Sequence, residues 1–195
     1  YATHCTTYLT GVTDEKIKSV SCLGWTDHDS LLNHNKFNNK FWNQTALFAS
    51  ENNIPFEVNI SWKGAFISTE RGEWYGDNMS FITEDPITLK SYLLKNTSEI
   101  AFDDGGFPNH SAKVELYKPI NWWNSDLLPQ TLRIPSEHNG SHTFITHEFI
   151  EAILHQRTPK INIELAINLT IPGITANESA KLNGETLKVL TYDNI

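Results

Sequence analysis

Ile54, Phe56, Val58, Ile60 and Trp62 alternate with Pro55, Glu57, Asn59 and Ser61. Successive side chains of a strand point to opposite faces, so this period of two dictates a strand with one buried face and one wet face. A sheet covered on one side only is characteristically antiparallel. Further short strands are predicted at Lys16 to Trp25, Phe41 to Ala49, Ala65 to Glu70, Met79 to Thr83 and Lys113 to Tyr117, and the closing TLKVL adds another. Turn chemistry at Tyr75-Gly76-Asp77-Asn78 and Asp103-Asp104-Gly105-Gly106 makes the middle of the chain a meander, and Thr26 to Lys40 reads as a polar loop.

Helical patterning flanks these strands. Ala2 to Val12 reads as a short helix ending near Gly11. After Gly140 the period changes to about 3.6, with Ile145, Phe149 and Ile153 beside Ile150 and Leu154 on one face and Ser141 or Thr143 as the N-cap, so this helix is expected to pack on the sheet. A second stripe, Leu165, Leu169, Ala176 and Ala180, ends at Asn183-Gly184. Pro172 interrupts it, and because a mid-helix proline costs about 3 kcal/mol, a kink or break is expected near Thr170. The fold class that follows is α+β: a mostly antiparallel open sheet with helices packed on one face.

The 195 residues suffice for one domain with a sizeable core, and a single domain over 1–195 is expected. A net charge of -8 and scattered Lys and Arg give no electrostatic support for nucleic acid, and no apolar run approaches the roughly 20 residues of a membrane span. Cys5 and Cys22 are expected to remain unlinked, since two thiols in a chain this long do not make a disulfide framework. Asn-X-Ser/Thr triplets occur at Asn43, Asn59, Asn78, Asn96, Asn109, Asn139, Asn168 and Asn177, but an Asn-rich chain generates them by chance, and Asn59 and Asn168 fall inside predicted elements. The start at Tyr1 reads as a trimmed terminus, which leaves export open, and a cytoplasmic location is expected.

Three stretches carry residue types suited to chemistry. The first, YATHCTTYLTGVTDEKIKSVSCLGW, holds His4 at the opening of a helix. An imidazole accepts and returns a proton near neutrality, although His4 alone also reads as a surface or capping histidine. The second runs Trp62-Lys63-Gly64 and then Glu70-Arg71-Gly72-Glu73-Trp74-Tyr75-Gly76. Trp62, Trp74 and Tyr75 suit the C–H face of a sugar ring, and Lys63, Glu70 and Arg71 suit its hydroxyls, yet the same residues make an ordinary strand-turn-strand with core tryptophans. The third is Ser136-Glu137-His138-Asn139-Gly140-Ser141-His142, where a helix N-terminus supplies free N–H groups beside His138 and His142. A metal on His138, His142 and His147 is not expected, since no Cys or carboxylate completes a tetrahedral set. The spacing of Glu70 and Glu73 says nothing about the carboxyl separation a glycosidase needs.

These stretches, with the run from His147 to Val189 (HEFIEAILHQ onward), resemble the C-terminal substrate and oligomerisation domain of the glucose-fructose oxidoreductase / inositol dehydrogenase (Gfo/Idh/MocA) family. The resemblance is strongest at residues 1 to 25, 62 to 76 and 138 to 189 and weakest from Asp85 to Glu137. It implies a sugar or polyol dehydrogenase in which His4 takes the proton of a hydroxyl while the neighbouring carbon gives hydride to NAD or NADP. The family's D-x-x-x-H context puts its Asp just before Tyr1, and the family's Lys belongs to the cofactor domain. Asn139 departs from the family's H-G-G-S-H turn. It implies too that Trp62, Lys63, Glu70, Arg71, Trp74, Tyr75, His138 and His142 surround the substrate, and that the open sheet face makes a homo-oligomer. Gly72, Gly76, Gly105 and Gly106 do not form the GxGxxG turn that cradles a pyrophosphate, so the dinucleotide is expected to need another domain and the 195 residues alone to bind none and be inactive. Some family members cleave glycosides by transient oxidation, and an NAD-dependent glycosidase stays open. So do a non-catalytic carbohydrate-binding or secreted β-rich module and a structural domain without a ligand.

Overall fold

The structure is a computed structural model and describes residues 2–27, 32, 35–65, 70–97, 101–109 and 112–194. In chain order its elements are α1 (Ala2–Thr13), β1 (Ile17–Trp25), β2 (Asn43–Ser50), β3 (Pro55–Ser61), β4 (Glu73–Tyr75), β5 (Met79–Ile82), β6 (Ser91–Asn96), β7 (Ala101–Phe102), β8 (Pro108–Asn109), β9 (Ala112–Tyr117), α2 (Ser141–Leu154), α3 (Ile163–Lys181) and β10 (Leu187–Lys188). The described residues thus give an α+β chain whose strands pair antiparallel throughout, in two four-stranded sheets and a two-stranded ribbon. The chain divides into two compact units, Tyr1–Ala65 with Thr158–Ile195, and Phe66–Arg157. No described helix is long and apolar enough to cross a membrane.

In the first unit the sheet runs β10-β1-β2-β3. The alternation that opened the sequence holds: Val58 is buried and Phe56 and Ile60 half-buried, while Glu57 and Asn59 are exposed. Register places Phe48 between Val20 and Phe56, and Ala46 between Cys22 and Val58, so these residues form one apolar face. Against this face lies α3, presenting the small buried residues Ala176 and Ala180, and α1 packs on α3 through Leu9 and Thr6. Thr6 Oγ1 donates to the Leu169 carbonyl at 2.6 Å, which satisfies a buried hydroxyl between the two helices.

Ser179 joins helix, strand and turn. Fully buried, its Oγ accepts from the Cys22 N–H at 2.8 Å and donates to the Glu185 carbonyl at 2.6 Å. The helix then ends in the pairing of a Schellman motif, with the Gly184 N–H on the Ser179 carbonyl and the Asn183 N–H on the Ala180 carbonyl. Asn183 and Gly184 both have positive φ, at 55° and 89°.

The break expected near Thr170 does not occur: α3 continues through Pro172 as one helix of 19 residues. Pro172 is itself fully buried, and packing of a helix face contributes more than local propensity. The Thr170 and Thr175 hydroxyls donate to the carbonyls of Ala166 and Ile171 one turn back.

In the second unit the sheet runs β4-β5-β6-β9. The expected strands at Met79 to Thr83 and Lys113 to Tyr117 appear as β5 and β9, and the turn at Asp103 joins β7 to β8, its carboxylate accepting from the N–H groups of Gly105 and Phe107. The strand expected at Ala65 to Glu70 falls mainly on residues 66–69, outside the described residues; Ala65 and Glu70 are not in a strand. Sequence patterning missed β6, because Tyr92, Leu93 and Leu94 are consecutive and mask the period of two.

Two expectations for α2 are corrected. Its N-cap is Gly140, at φ 88° and without a side-chain cap bond; Ser141 already lies in the helix, and the Thr143 hydroxyl donates to Ser136 Oγ instead. Its apolar stripe does not pack on the sheet: Ile145, Phe149, Ile150, Ile153 and Leu154 are 47 to 68% exposed. The helix packs chiefly on the 3-10 turns Trp122–Asn124 and His138–Gly140. A Cβ at Gly140 would stand 2.5 Å from that of Trp123. Gly140→Ala is therefore expected to destabilise the protein by about 2 kcal/mol or more, combining left-handed strain of about 1–2 kcal/mol with displacement of Trp123. Urea unfolding measures it, and a change under about 0.5 kcal/mol would show that this turn relaxes freely.

Candidate functional site

The chain entering β2 and the chain leaving β3 are clamped together by Asn43. Its Oδ1 accepts from the N–H groups of Trp62 and Lys63 at 2.9 and 3.0 Å, and its Nδ2 donates to the Lys63 carbonyl at 2.9 Å. This fixes the first two residues of the second chemical stretch. Lys63 Nζ sits 5.4 Å from the centre of the Trp42 ring and also pairs with Asp27, whose other carboxylate oxygen accepts from Trp42 Nε1 at 3.1 Å. Asp27, Trp42 and Lys63 thus hold one another, and the indole is set by a hydrogen bond and a cation over its face. Trp62 is 54% exposed beside them. Sequence reasoning found Trp62 and Lys63 but missed Trp42, Asn43 and Asp27. The one available signal was the clustering of aromatic and amide residues between Phe37 and Gln44.

His4 lies in the first turn of α1 and is exposed, while the turn that follows it, Cys5 and Thr6, faces inward. Cys5 and Cys22 are free thiols. Burial pushes the Cys22 thiol from its ordinary 9.0 up to about 11, so it stays protonated at neutral pH and is a poor nucleophile. Iodoacetamide is expected to label Cys5 well before Cys22, as peptide mass spectrometry would show; equal rates would mean that the core opens readily. The same shift has a pH consequence. Unfolded Cys22 ionises near 9.0 whereas the folded thiol resists until about 11, so its contribution to stability is complete below pH 9.0 and is lost as pH rises through that window.

The remaining candidates lie in the second unit. Glu70 and Arg71 are exposed. The Thr88 N–H holds the Asp85 carboxyl below its ordinary value, and the Arg71 charge adds a smaller effect in the same direction. Neighbouring residues of a strand face opposite sides, so Trp74 and Tyr75 do not share a platform. Trp74 stacks on Phe81 at 5.6 Å, which in turn meets the Tyr117 ring edge-on at 5.1 Å. Tyr75 is exposed and donates its hydroxyl to Glu73 at 2.6 Å, a bond to a carboxylate that raises the phenol's pKa. His138 and His142 are brought together, with ring centres 4.8 Å apart and both residues exposed. The left-handed residues of their turn are His138 at φ 52° and Gly140. Among the described residues, no group of three or more His, Cys, Asp or Glu could hold a metal ion.

No family model and no curated protein matches the chain by sequence. Solved structures do match in shape. An NAD-binding protein from Listeria innocua superposes with a TM-score of 0.56 at 16% identity, over 96% of this chain and 46% of that one. The likeness is one of fold. An oxidoreductase from Agrobacterium radiobacter, solved with NAD+, L-tartaric acid and magnesium, gives 0.54 at 14% identity over 89% of this chain and 43% of its own. Levoglucosan dehydrogenase in complex with NADH gives 0.54 at 12% identity over 90% and 45%. The chain spans less than half the length of each of these proteins.

Proposed function

We propose that this chain is the substrate-binding half of an NAD(P)-dependent oxidoreductase of the Gfo/Idh/MocA type, acting on a sugar, polyol or glycoside. The observation that carries this reading is the fold likeness to NAD-binding oxidoreductases, which takes in nearly all of this chain and less than half of theirs. Gly72, Gly76, Gly105 and Gly106 lack the spacing of a pyrophosphate-binding turn, so these residues do not fit the dinucleotide and another domain would hold it. The dinucleotide, once bound there, supplies the hydride acceptor. Within this chain the imidazole of His4 accepts the hydroxyl proton, and Trp62 and Lys63 of the same unit orient the substrate.

The reading also makes the open face of the second sheet a contact between two copies of the protein. Tyr75, Val114 and Leu116 lie on one face of it, exposed and apolar. Sedimentation would give a dimer or larger species, and a monomer at high concentration would count against it. The enzymatic reading is tested by following NADH or NADPH absorbance while the full-length protein meets a panel of sugars, cyclitols and glycosides. Reduction of either dinucleotide supports it. A full-length sequence with no dinucleotide-binding fingerprint, or no oxidation across the panel, would sink it.

A further inference from the structure

Trp42 of the Asp27–Trp42–Lys63 cluster also lines a cavity of about 480 Å³ that the first unit holds between β2, β3 and α3. That is within the roughly 300–1,000 Å³ of small-molecule sites. Phe48 and Ile60 form part of its apolar lining, and Trp42 and Trp62 contribute indole surfaces. Two amides meet within this lining. Gln44 Nε2, from the sheet, donates to Asn177 Oδ1, from α3, at 3.3 Å, at the long end for such a bond. The other half of each amide has no partner among the described residues, which leaves an acceptor on Gln44 beside a donor on Asn177. Two neighbouring hydroxyls of one ring match that pair, one donating and one accepting.

Charge decides which ring. The charged lining residues are Glu178 and Lys181, and they neutralise each other in an ion pair at 2.8 Å. Among the described lining residues no cation is left over for a phosphate or carboxylate, and the chain's net charge of -8 repels anions further. We infer that this cavity takes an uncharged hydroxylated ring, a monosaccharide or cyclitol without phosphate or carboxylate, stacked on Trp42 and Trp62 and read by Gln44 and Asn177. The inference rests on the sugar or polyol reading above and deepens it, naming the charge class of the substrate and two specificity residues outside the recognised motifs.

The test is calorimetric titration of the full-length protein with methyl β-glucoside and myo-inositol against glucose 6-phosphate and glucuronate. A neutral ring is expected to bind at least about tenfold tighter than either anion. Gln44→Leu and the near-isosteric Asn177→Asp are each expected to weaken it about tenfold, the loss of one hydrogen bond. Near-ultraviolet circular dichroism confirms that each variant is folded, and Ile87→Ala, at an exposed position of the second unit, should leave binding unchanged. Anions binding as tightly as neutral rings, or neither variant weakening a neutral ring, would overturn the inference. If neutral rings bind as expected but no dinucleotide is reduced, the oxidoreductase reading fails and the binding site stands. If sugars are oxidised while both folded variants keep the parent KM, the site assignment fails and the oxidoreductase reading stands.

Discussion

Asn in place of His4, in the full-length protein, is expected to lower kcat for sugar oxidation by about 10²–10⁴-fold, the usual contribution of a positioned general base. Asn keeps a polar side chain of similar reach and can hydrogen-bond a substrate hydroxyl, but it cannot take that hydroxyl's proton. The loss should therefore fall on kcat, with KM changed far less. His4 is exposed in the first turn of α1, and substitutions at exposed positions usually change stability by about 0.5 kcal/mol or less. Steady-state kinetics with thermal melts on the same preparations checks both statements. An unchanged kcat would reduce His4 to a surface histidine and move the proton acceptor elsewhere.

Phe48→Ala is expected to cost about 3–5 kcal/mol, the range for deleting a buried ring. Phe48 is 3% exposed at the centre of the first sheet, opposite Val20 on one strand and Phe56 on the other, with its ring centre 6.0 Å from that of Phe56. Its neighbours sit on hydrogen-bonded strands and cannot close the gap, and the truncation enlarges a cavity that already exists beside it. At roughly 2–4 °C per kcal/mol for a chain of this size, the melting temperature should fall by about 6–20 °C. Phe48→Leu, which keeps most of the volume, should cost about 1–1.5 kcal/mol. Chemical denaturation distinguishes the two, and equal costs would mean that the sheet repacks around the loss.

The strength of local signals explains how much was readable. Period-two alternation announced β3 because its residues are apolar and polar strictly in turn, whereas β6 went unseen where Tyr92, Leu93 and Leu94 blur the period. The α2 stripe was a correct reading of a helix and a wrong one of its surroundings: periodicity reports which residues share a face, not what covers it. Pro172 marked a break that burial of the surrounding helix overrode. At the candidate site, Trp62 and Lys63 stood out as neighbours. Asp27 is 36 residues from Lys63, and Gln44 is 133 from Asn177, so no local pattern could join them.

The sequence by itself determined the α+β class, the position of most described strands and of the three described α-helices, and a net charge of -8, since these follow from side-chain period, turn residues and composition. Tertiary structure alone decided that Trp74 and Tyr75 lie on opposite sides of a strand and that His138 and His142 meet ring to ring. It also decided that Asp27 and Lys63 fix Trp42 in the lining of a cavity whose two charges cancel. The physical reason is distance along the chain. Period and propensity act over a few residues, while a site is assembled by strand register and helix packing from residues the sequence keeps far apart.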